Sequence, residues 1–565
     1  MKNMKNILSI GLIGIGLLTA CSLDEVNYSA ETSSNYIQSE TQYNELVNAT
    51  YMKLRPLVST TATHCMWYGT DIYSRTGEIN DSQLGLDDYS YINPTDWGVY
   101  QFWCKNYDII TKANTALAYG DKLTLPDEVR VKRTAELQVL RSYAYFNLVE
   151  TFGGVPLLLT QITTPQFDFE RASEEEVYKQ IIADLNEAIQ SGGLASSMAA
   201  DEFGRVDLGM AKHLLGKVLL TRSYKPYAES SDLKKAIECF ETAISLHPLV
   251  DNWDILFDTQ TGAYVYNNSE VIFSVRFSTN LLYNTELCSG LYQHFHPQAL
   301  DKWPGHTHRG APYWRGDLSY RASEDYMNSF EDDDIRASEK YLVRHVIAGS
   351  AGSANGHDFK AGDEIIYMPK YAMSEQEKAD YQTEHPSVYL VINPDEYTKL
   401  FSVGNQNVCY PFIFKFYDPN ISEYAGSIID NQDPRGTRDV YIFRSAESKL
   451  LLAEAYLKNG QDAAALKEVN DIRKRVGATM LTQVDMDVIM DESGRELFGE
   501  ANRWMDLKRC GKLFERAYKH NVYVRLHHAS ASDIDSYFLL RPIPQTEIDR
   551  SNNTLEQNPG YASNK

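Results

Sequence analysis

The chain has 565 residues, 43% hydrophobic and 23% charged, which excludes bulk disorder and leaves material for a large core, roughly three-quarters of the unfolded surface at this length. Its formal charge of -23 sets up a field that repels phosphate backbones, so no nucleic acid is expected as a partner. Aromatics stand out, with 38 Tyr, 21 Phe and 7 Trp. Tyrosine has an apolar face and a polar tip, and so suits wet recognition surfaces as well as cores.

Lys2 and Lys5 open the chain, followed by an apolar run of 12 residues from Ile7 to Leu18. A membrane-spanning helix needs about 20, so residues 1–20 read as a signal peptide. Leu18-Thr19-Ala20-Cys21 resembles the bacterial lipobox. That resemblance implies acylation of the Cys21 thiol, cleavage before it, and a membrane anchor of several acyl chains. Ser22-Leu23-Asp24-Glu25 is similar to the acidic surface-export signal of Bacteroidetes lipoproteins. It implies an outer-membrane location facing the cell exterior. Residues 21–38 read as a lipidated tether, and 39–565 as one folded unit. The other cysteines are scattered, with no CxxC, so neither a disulfide framework nor structural zinc is expected.

Helical periodicity starts at Glu40 and runs to Leu54, with Tyr43, Val47 and Tyr51 on one stripe. A loop rich in Thr, Gly, Asp and Tyr spans Ser59 to Thr95. Trp97 to Leu117 is predicted helical, with Phe102, Trp103 and Ile110 facing the core. Pro126 to Phe152 is a long helix ended by Gly153-Gly154. Ser173 and Glu176 form a capping box for a helix reaching about Gln190.

Lys212 to Tyr224 and Asp232 to Leu246 carry Gly216, Ala236, Phe240, Ala243 and Pro248, the spacing of a tetratricopeptide repeat. Leu452, Tyr456, Gly460, Ala465, Val469 and Ile472 fit the same template. A small residue lets paired helices approach, and a large one fills the groove between repeats. The predicted fold class is therefore mostly α: a tetratricopeptide-like scaffold with long loop and short-strand insertions. From Asn252 to about Asp439 the helical pattern breaks, except for a predicted strand from Glu270 to Phe277. An insertion of this length is expected to carry function.

The chain has no GxSxG, P-loop or HExxH motif and no GxGxxG after a strand, and no cofactor or catalytic residue is assigned. Arg495, Glu496, Glu500, Arg503, Asp506 and Arg509 crowd one segment. At helical spacing they read as an ion-pair lattice, with Trp504 as a core residue. His294, His296, His306 and His308 form two H-x-H pairs without a zinc spacing. Glu331-Asp-Asp-Asp334 lacks an EF-hand pattern and reads as a solvated turn.

Several segments together resemble the SusD/RagB family of outer-membrane nutrient-binding lipoproteins. They are Trp103 to Asn114, Arg141-Ser-Tyr-Ala-Tyr-Phe with Gly153-Gly-Val-Pro156, Arg495 to Arg509, Arg541-Pro-Ile-Pro, and Gln557-Asn-Pro-Gly-Tyr561. The resemblance implies about four helix pairs with loops folded over them to build a ligand site. It also implies a SusC-like TonB-dependent outer-membrane barrel as partner, with oligosaccharide as the cargo. Peptide, the cargo of some relatives, and surface glycoside hydrolysis are the alternatives.

Sugar recognition needs flat aromatic faces against C–H surfaces, with polar groups aimed at hydroxyls. Two segments offer both, at places that correspond to the family's glycan-binding loops. The first holds Trp67, Asp71, Tyr73, Arg75, Tyr91, Asn93 and Trp97; the second holds Tyr292, Trp303, Tyr313 and Trp314. These are the candidate ligand-binding residues.

Overall fold

A computed structural model describes residues 37–75, 81–261, 268–278, 289–296, 303–306, 312–313, 320–397, 410–419 and 436–561, apart from the side chains of 81–83, 200, 292 and 293. The signal peptide, Cys21 and Trp314 lie outside these residues, as does the Tyr292 side chain.

The scaffold is built from α1 (Glu40–Met52), α2 (Trp97–Lys122), α3 (Asp127–Phe152), α4 (Glu174–Gln190), α5 (Leu208–Arg222), α6 (Asp232–Leu246), α7 (Ser445–Lys458) and α8 (Asp462–Arg475). Helix α1 packs on α2, α3 on α4, α5 on α6 and α7 on α8, and the contacts α2–α3 and α6–α7 join the pairs. This is the predicted tetratricopeptide-like architecture. Gly216 shows why the spacing works: a Cβ there would stand 2.8 Å from the Phe240 ring. Ala465, Val469 and Ile472 are all fully buried in the last pair.

Local chemistry sets the helix ends. Ser173 and Glu176 close the predicted capping box on α4. Gly153 ends α3 at φ +73, a conformation that L side chains rarely adopt. Several bounds differ from the sequence reading. Helix α1 stops at Met52, a short helix Leu54–Ser59 runs through Pro56, and the segment read as loop holds short helices at His64–Trp67 and Asp81–Asp88. Helix α2 continues five residues past Leu117. Helix α5 begins at Leu208, because the Asp207 side chain accepts from the Met210 N–H at 2.8 Å and supplies an N-cap upstream of the apolar pattern.

The chain leaves the scaffold through β1 (Val271–Val275) and returns through β2 (Val440–Arg444), which pair antiparallel with Val275 opposite Val440. Between them lie a small sheet (His345–Ile347, Glu364–Tyr367, Leu390–Val391), a hairpin (Gly352–Ala354 with His357–Phe359) and a surface helix, Glu375–Glu384. The chain ends in α9 (Met486–Leu497), α10 (Arg503–Arg509), α11 (Leu513–His520) and α12 (Gln545–Arg550).

The charged C-terminal segment is a buried lattice. Arg444 at the end of β2 is 1% exposed and bonds Glu270 at 2.5 Å, Glu496 at 3.0 Å and Glu500 at 2.5 Å. Arg475 of α8 reaches Glu270 and Glu496. Arg336, from the insertion, reaches Asp334, Glu492 and Glu496. Lys415, also from the insertion, bonds Glu500 at 2.7 Å, and Trp504 is fully buried beside this region. Removing one partner strands the opposite charges in a dry interior. Arg444→Met is therefore expected to cost about 3–5 kcal/mol, read as a lower urea midpoint at unchanged slope. A shift under 1 kcal/mol would refute the lattice as a structural core.

Candidate functional site

The segment from Tyr89 to Trp97 is a rigid turn that lifts two aromatic rings into solvent. Tyr89 sits at φ +58, is buried, and donates its hydroxyl proton to the Gly69 carbonyl at 2.5 Å. Asn93 Oδ1 accepts from the Thr95 N–H at 2.9 Å and from its hydroxyl at 2.8 Å. The Pro94 carbonyl accepts from the Gln545 N–H of α12 at 2.9 Å. Asp96 then caps α2 through the Val99 N–H at 2.9 Å. With the backbone held this way, Trp97 is left 56% exposed and Tyr91 52% exposed.

With Phe167 and Tyr371, they are the large rings most exposed on the described surface. Tyr100, one helical turn on, places its ring 5.4 Å from Trp97 at a 34° tilt. Its hydroxyl accepts from Arg550 of α12 at 3.1 Å. Sequence reasoning passed over Tyr100, although its i+3 spacing from Trp97 was the available signal. Arg550 could not be found that way, because α12 joins the site only through tertiary packing.

Of the other candidates from the first segment, Trp67, Asp71 and Tyr73 lie inside, and Arg75 and Asn93 are half-buried. Trp67 is 2% exposed, stacks on Tyr73 at 5.4 Å, and donates its indole N–H to the Ala501 carbonyl. Tyr73 is fully buried; its ring lies 4.5 Å from Phe498, and its hydroxyl accepts from the Gly499 N–H. Asp71 accepts from Arg503 at 2.8 and 2.6 Å and from Arg516 at 2.7 Å. Arg75 pairs with Asp88 at 2.8 Å and lies over the Tyr523 ring. Asn93 spends its carbonyl oxygen on the turn just described. Trp67, Asp71 and Tyr73 build the frame rather than the exposed face, while half-buried Arg75 and Asn93 are tied to Asp88 and Thr95.

From the second segment, Tyr313 is 9% exposed and wedged edge-on against Phe412 at 5.3 Å. Trp303 is partly buried and packed on the core. His294 and His296 are buried. Among the described residues no three His, Cys, Asp or Glu side chains converge as a metal site, and His308 lies outside them. Glu331 of the acidic turn bonds Arg473, Asp334 bonds Arg336, and Asp332 bonds Lys370.

One constellation has the residue types of a nucleophile and base. His213 Nδ1 lies 2.7 Å from Ser448 Oγ, with Glu447 3.6 Å from Nε2. All three are buried, and burial, then the nearby Lys217 charge, pushes the imidazole well below its ordinary value. The adjacent cavity of about 30 Å³ has room for water only.

Six buried carboxylates of the fold divide into two classes. Burial works against Asp71, yet Arg503 and Arg516 hold its carboxyl well below the usual range. Burial likewise works against Glu496, but Arg475, Arg444 and Arg336 keep it down at about 2. Lys508 and Lys225 do the same for buried Glu150, also at about 2. Burial prevails at Asp87, Asp96 and Asp439, each pushed up to about 6.

The SusD family profile matches residues 269–561. A second profile, described as starch-binding associating with outer membrane, matches residues 23–194. A SusD-like protein of Formosa agariphila is 24% identical over 513 residues, 86% of this chain and 84% of the relative. The starch-binding protein SusD of Bacteroides thetaiotaomicron is 33% identical over 124 residues, 22% of each chain. Among solved structures, a laminarin-binding SusD-like protein superposes with a TM-score of 0.68 at 23% identity, over 93% of this chain and 100% of that one. Surface glycan-binding protein A of Bacteroides thetaiotaomicron, in complex with laminarihexaose, superposes with a TM-score of 0.67 at 19% identity, over 92% and 99%.

The two carboxylate classes act on stability in opposite directions. Between the ordinary Asp value of 3.8 and about 6, the folded state binds more protons at Asp87, Asp96 and Asp439, so stability falls as pH rises through that window. Asp71, Glu150 and Glu496 have depressed values. Their contribution is present above the ordinary carboxylate range and is lost as pH falls through it towards about 2. Calorimetry across pH is expected to show no loss of Tm on acidification from neutrality to about 5, then a steep fall below about 4. A steady decline starting at neutrality would contradict this assignment.

Proposed function

The chain belongs to the SusD family, and from that premise we propose that it is a cell-surface lipoprotein that captures oligosaccharide and passes it to a SusC-like TonB-dependent outer-membrane barrel without cleaving it. Cys21 is the lipid attachment point in this reading. Trp97 and Tyr91 form the capture platform, with Tyr292 and Trp314 of the insertion as proposed partners. The observation that carries the proposal is the exposure of Trp97 and Tyr91 on a turn anchored by the Asn93–Thr95 and Pro94–Gln545 hydrogen bonds. A ring held open by a rigid frame loses little freedom on binding, so stacking converts efficiently into affinity.

Support for carbohydrate as the cargo comes from the laminarin and laminarihexaose named for the two structural neighbours, and from the outer-membrane starch-binding description of the second profile. Support for capture without cleavage comes from the titratable groups. The carboxylates with the most depressed values sit inside ion pairs, and of the Ser448–His213–Glu447 set, all buried, only Glu447 lines the adjacent water-sized cavity.

Calorimetric titration of the chain from Ser22 onward, against oligosaccharides and peptides with each mixture checked for cleavage, tests the reading. Binding of an oligosaccharide without new products is expected. Trp97→Ala should cost about 2 kcal/mol, roughly 30-fold in affinity, at unchanged Tm. Peptide binding alone, hydrolysis, or full affinity in the variant would each overturn it.

A further inference from the structure

The exposed edge of α2 does not end at Tyr100. Trp97, Tyr100, Cys104, Asp108 and Thr111 follow one another at three- and four-residue steps along a single helix face. At 1.5 Å per residue the stripe runs about 21 Å. Beyond Tyr100 it descends into a cleft of about 260 Å³. The floor is apolar and largely aromatic, from Tyr107, Leu158 and Phe169 over the buried Trp103. The rim is polar and of mixed charge, from Asp108 on α2 and from Glu547 and Arg550 on α12.

The cleft is a built feature. Tyr107 donates its hydroxyl proton to the Pro156 carbonyl at 2.8 Å, which sets the far wall. That wall is tied to the C-terminal segment by Phe169 N–H to Thr554 Oγ1 at 3.1 Å and by Arg171 to the Glu556 carbonyl at 2.9 Å. Arg550 bonds both Glu547 at 2.9 Å and the Tyr100 hydroxyl at 3.1 Å, so the rim is continuous with the Trp97 platform.

We propose that this cleft is an extended subsite that takes further sugar rings of a glycan already stacked on Trp97. The inference rests on the capture reading above and adds a direction and a minimum length to it. An apolar aromatic floor fits the C–H faces of pyranose rings, and a rim of mixed charge offers both donors and acceptors to hydroxyls. The volume falls just below the 300–1,000 Å³ range of drug-sized pockets, which suits a ring-sized ligand. Binding along the stripe therefore depends on chain length, and ligands long enough to reach from Trp97 into the cleft bind more tightly than short ones.

The probes are glucose disaccharides and hexasaccharides of the laminari-, malto- and cello- series, titrated against the chain from Ser22 onward. The hexasaccharide of the preferred linkage is expected to bind at least about tenfold more tightly than its disaccharide. Thr111→Trp, which plugs the cleft from an exposed position, should bring the hexasaccharide down to the disaccharide's affinity. Cys104, partly exposed and a free thiol, gives a second readout in the unmodified protein: its alkylation by a neutral reagent should slow with hexasaccharide bound and not with disaccharide. Equal affinity for both lengths, a hexasaccharide advantage that survives Thr111→Trp, or unprotected Cys104 would overturn the subsite while leaving capture at Trp97 standing. Absence of binding at either length overturns glucan capture and the subsite together.

Discussion

The fold depends on a set of charges that must be neutralised in the same place at the same time. Arg336, Lys415, Arg444, Arg473 and Arg475 meet Glu270, Asp334, Glu492, Glu496 and Glu500. These residues come from the insertion, from the strand pair that brackets it and the residue just before it, from helices α8 and α9, and from the turn after α9. Each charge is expensive to bury alone, and each is tolerable only when the others arrive. The lattice therefore works as a registry device. It locks a long, irregular insertion onto a regular helical scaffold in one arrangement, a task that apolar contact alone specifies less sharply.

A second arrangement of the same kind holds the loop in front of α2. Asp71 lies between Arg503 and Arg516, while Trp67 and Tyr73 fill an aromatic cluster with Phe295, Tyr320 and Phe498. Gly499 meets this cluster at φ +75, where a Cβ would stand 2.4 Å from Phe416. Loop and C-terminal segment are thus packed as a core is packed. One consequence is functional: Trp97 and Tyr91 project from a frame with little freedom to collapse, so their faces stay open to solvent.

The aromatic surplus divides accordingly. Most of the described rings serve the interior, and a few stand on the surface: Tyr91, Phe167, Tyr371 and, at the start of α2, Trp97. Helical geometry explains the placement of Trp97. The face of α2 that carries Phe102, Trp103 and Ile110 is buried against the scaffold, and the face rotated away from it carries Trp97, Tyr100 and Asp108. A single helix thereby contributes to the core and to the candidate recognition edge. Its N-cap, Asp96, fixes where the edge begins.

Local pattern was enough to read the scaffold. The Gly216–Phe240 spacing, the Ser173–Glu176 capping box and the 3.6-residue stripes of Ala465, Val469 and Ile472 each depend on neighbours within a few turns, and all appear in the fold. The crowded charges from Arg495 to Arg509 were legible as a lattice for the same reason, though the partners Arg336, Lys415 and Arg444 were not. The candidate site was legible only in part. The sequence by itself determined which segments are rich in aromatic and polar side chains. The tertiary structure alone decided that Trp67, Asp71 and Tyr73 turn inward while Trp97 and Tyr91 turn outward. The physical reason is that a loop has no period to distinguish inside from outside. Whether its side chains are buried depends on partners more than four hundred residues away, at Gly499, Ala501, Arg503 and Arg516.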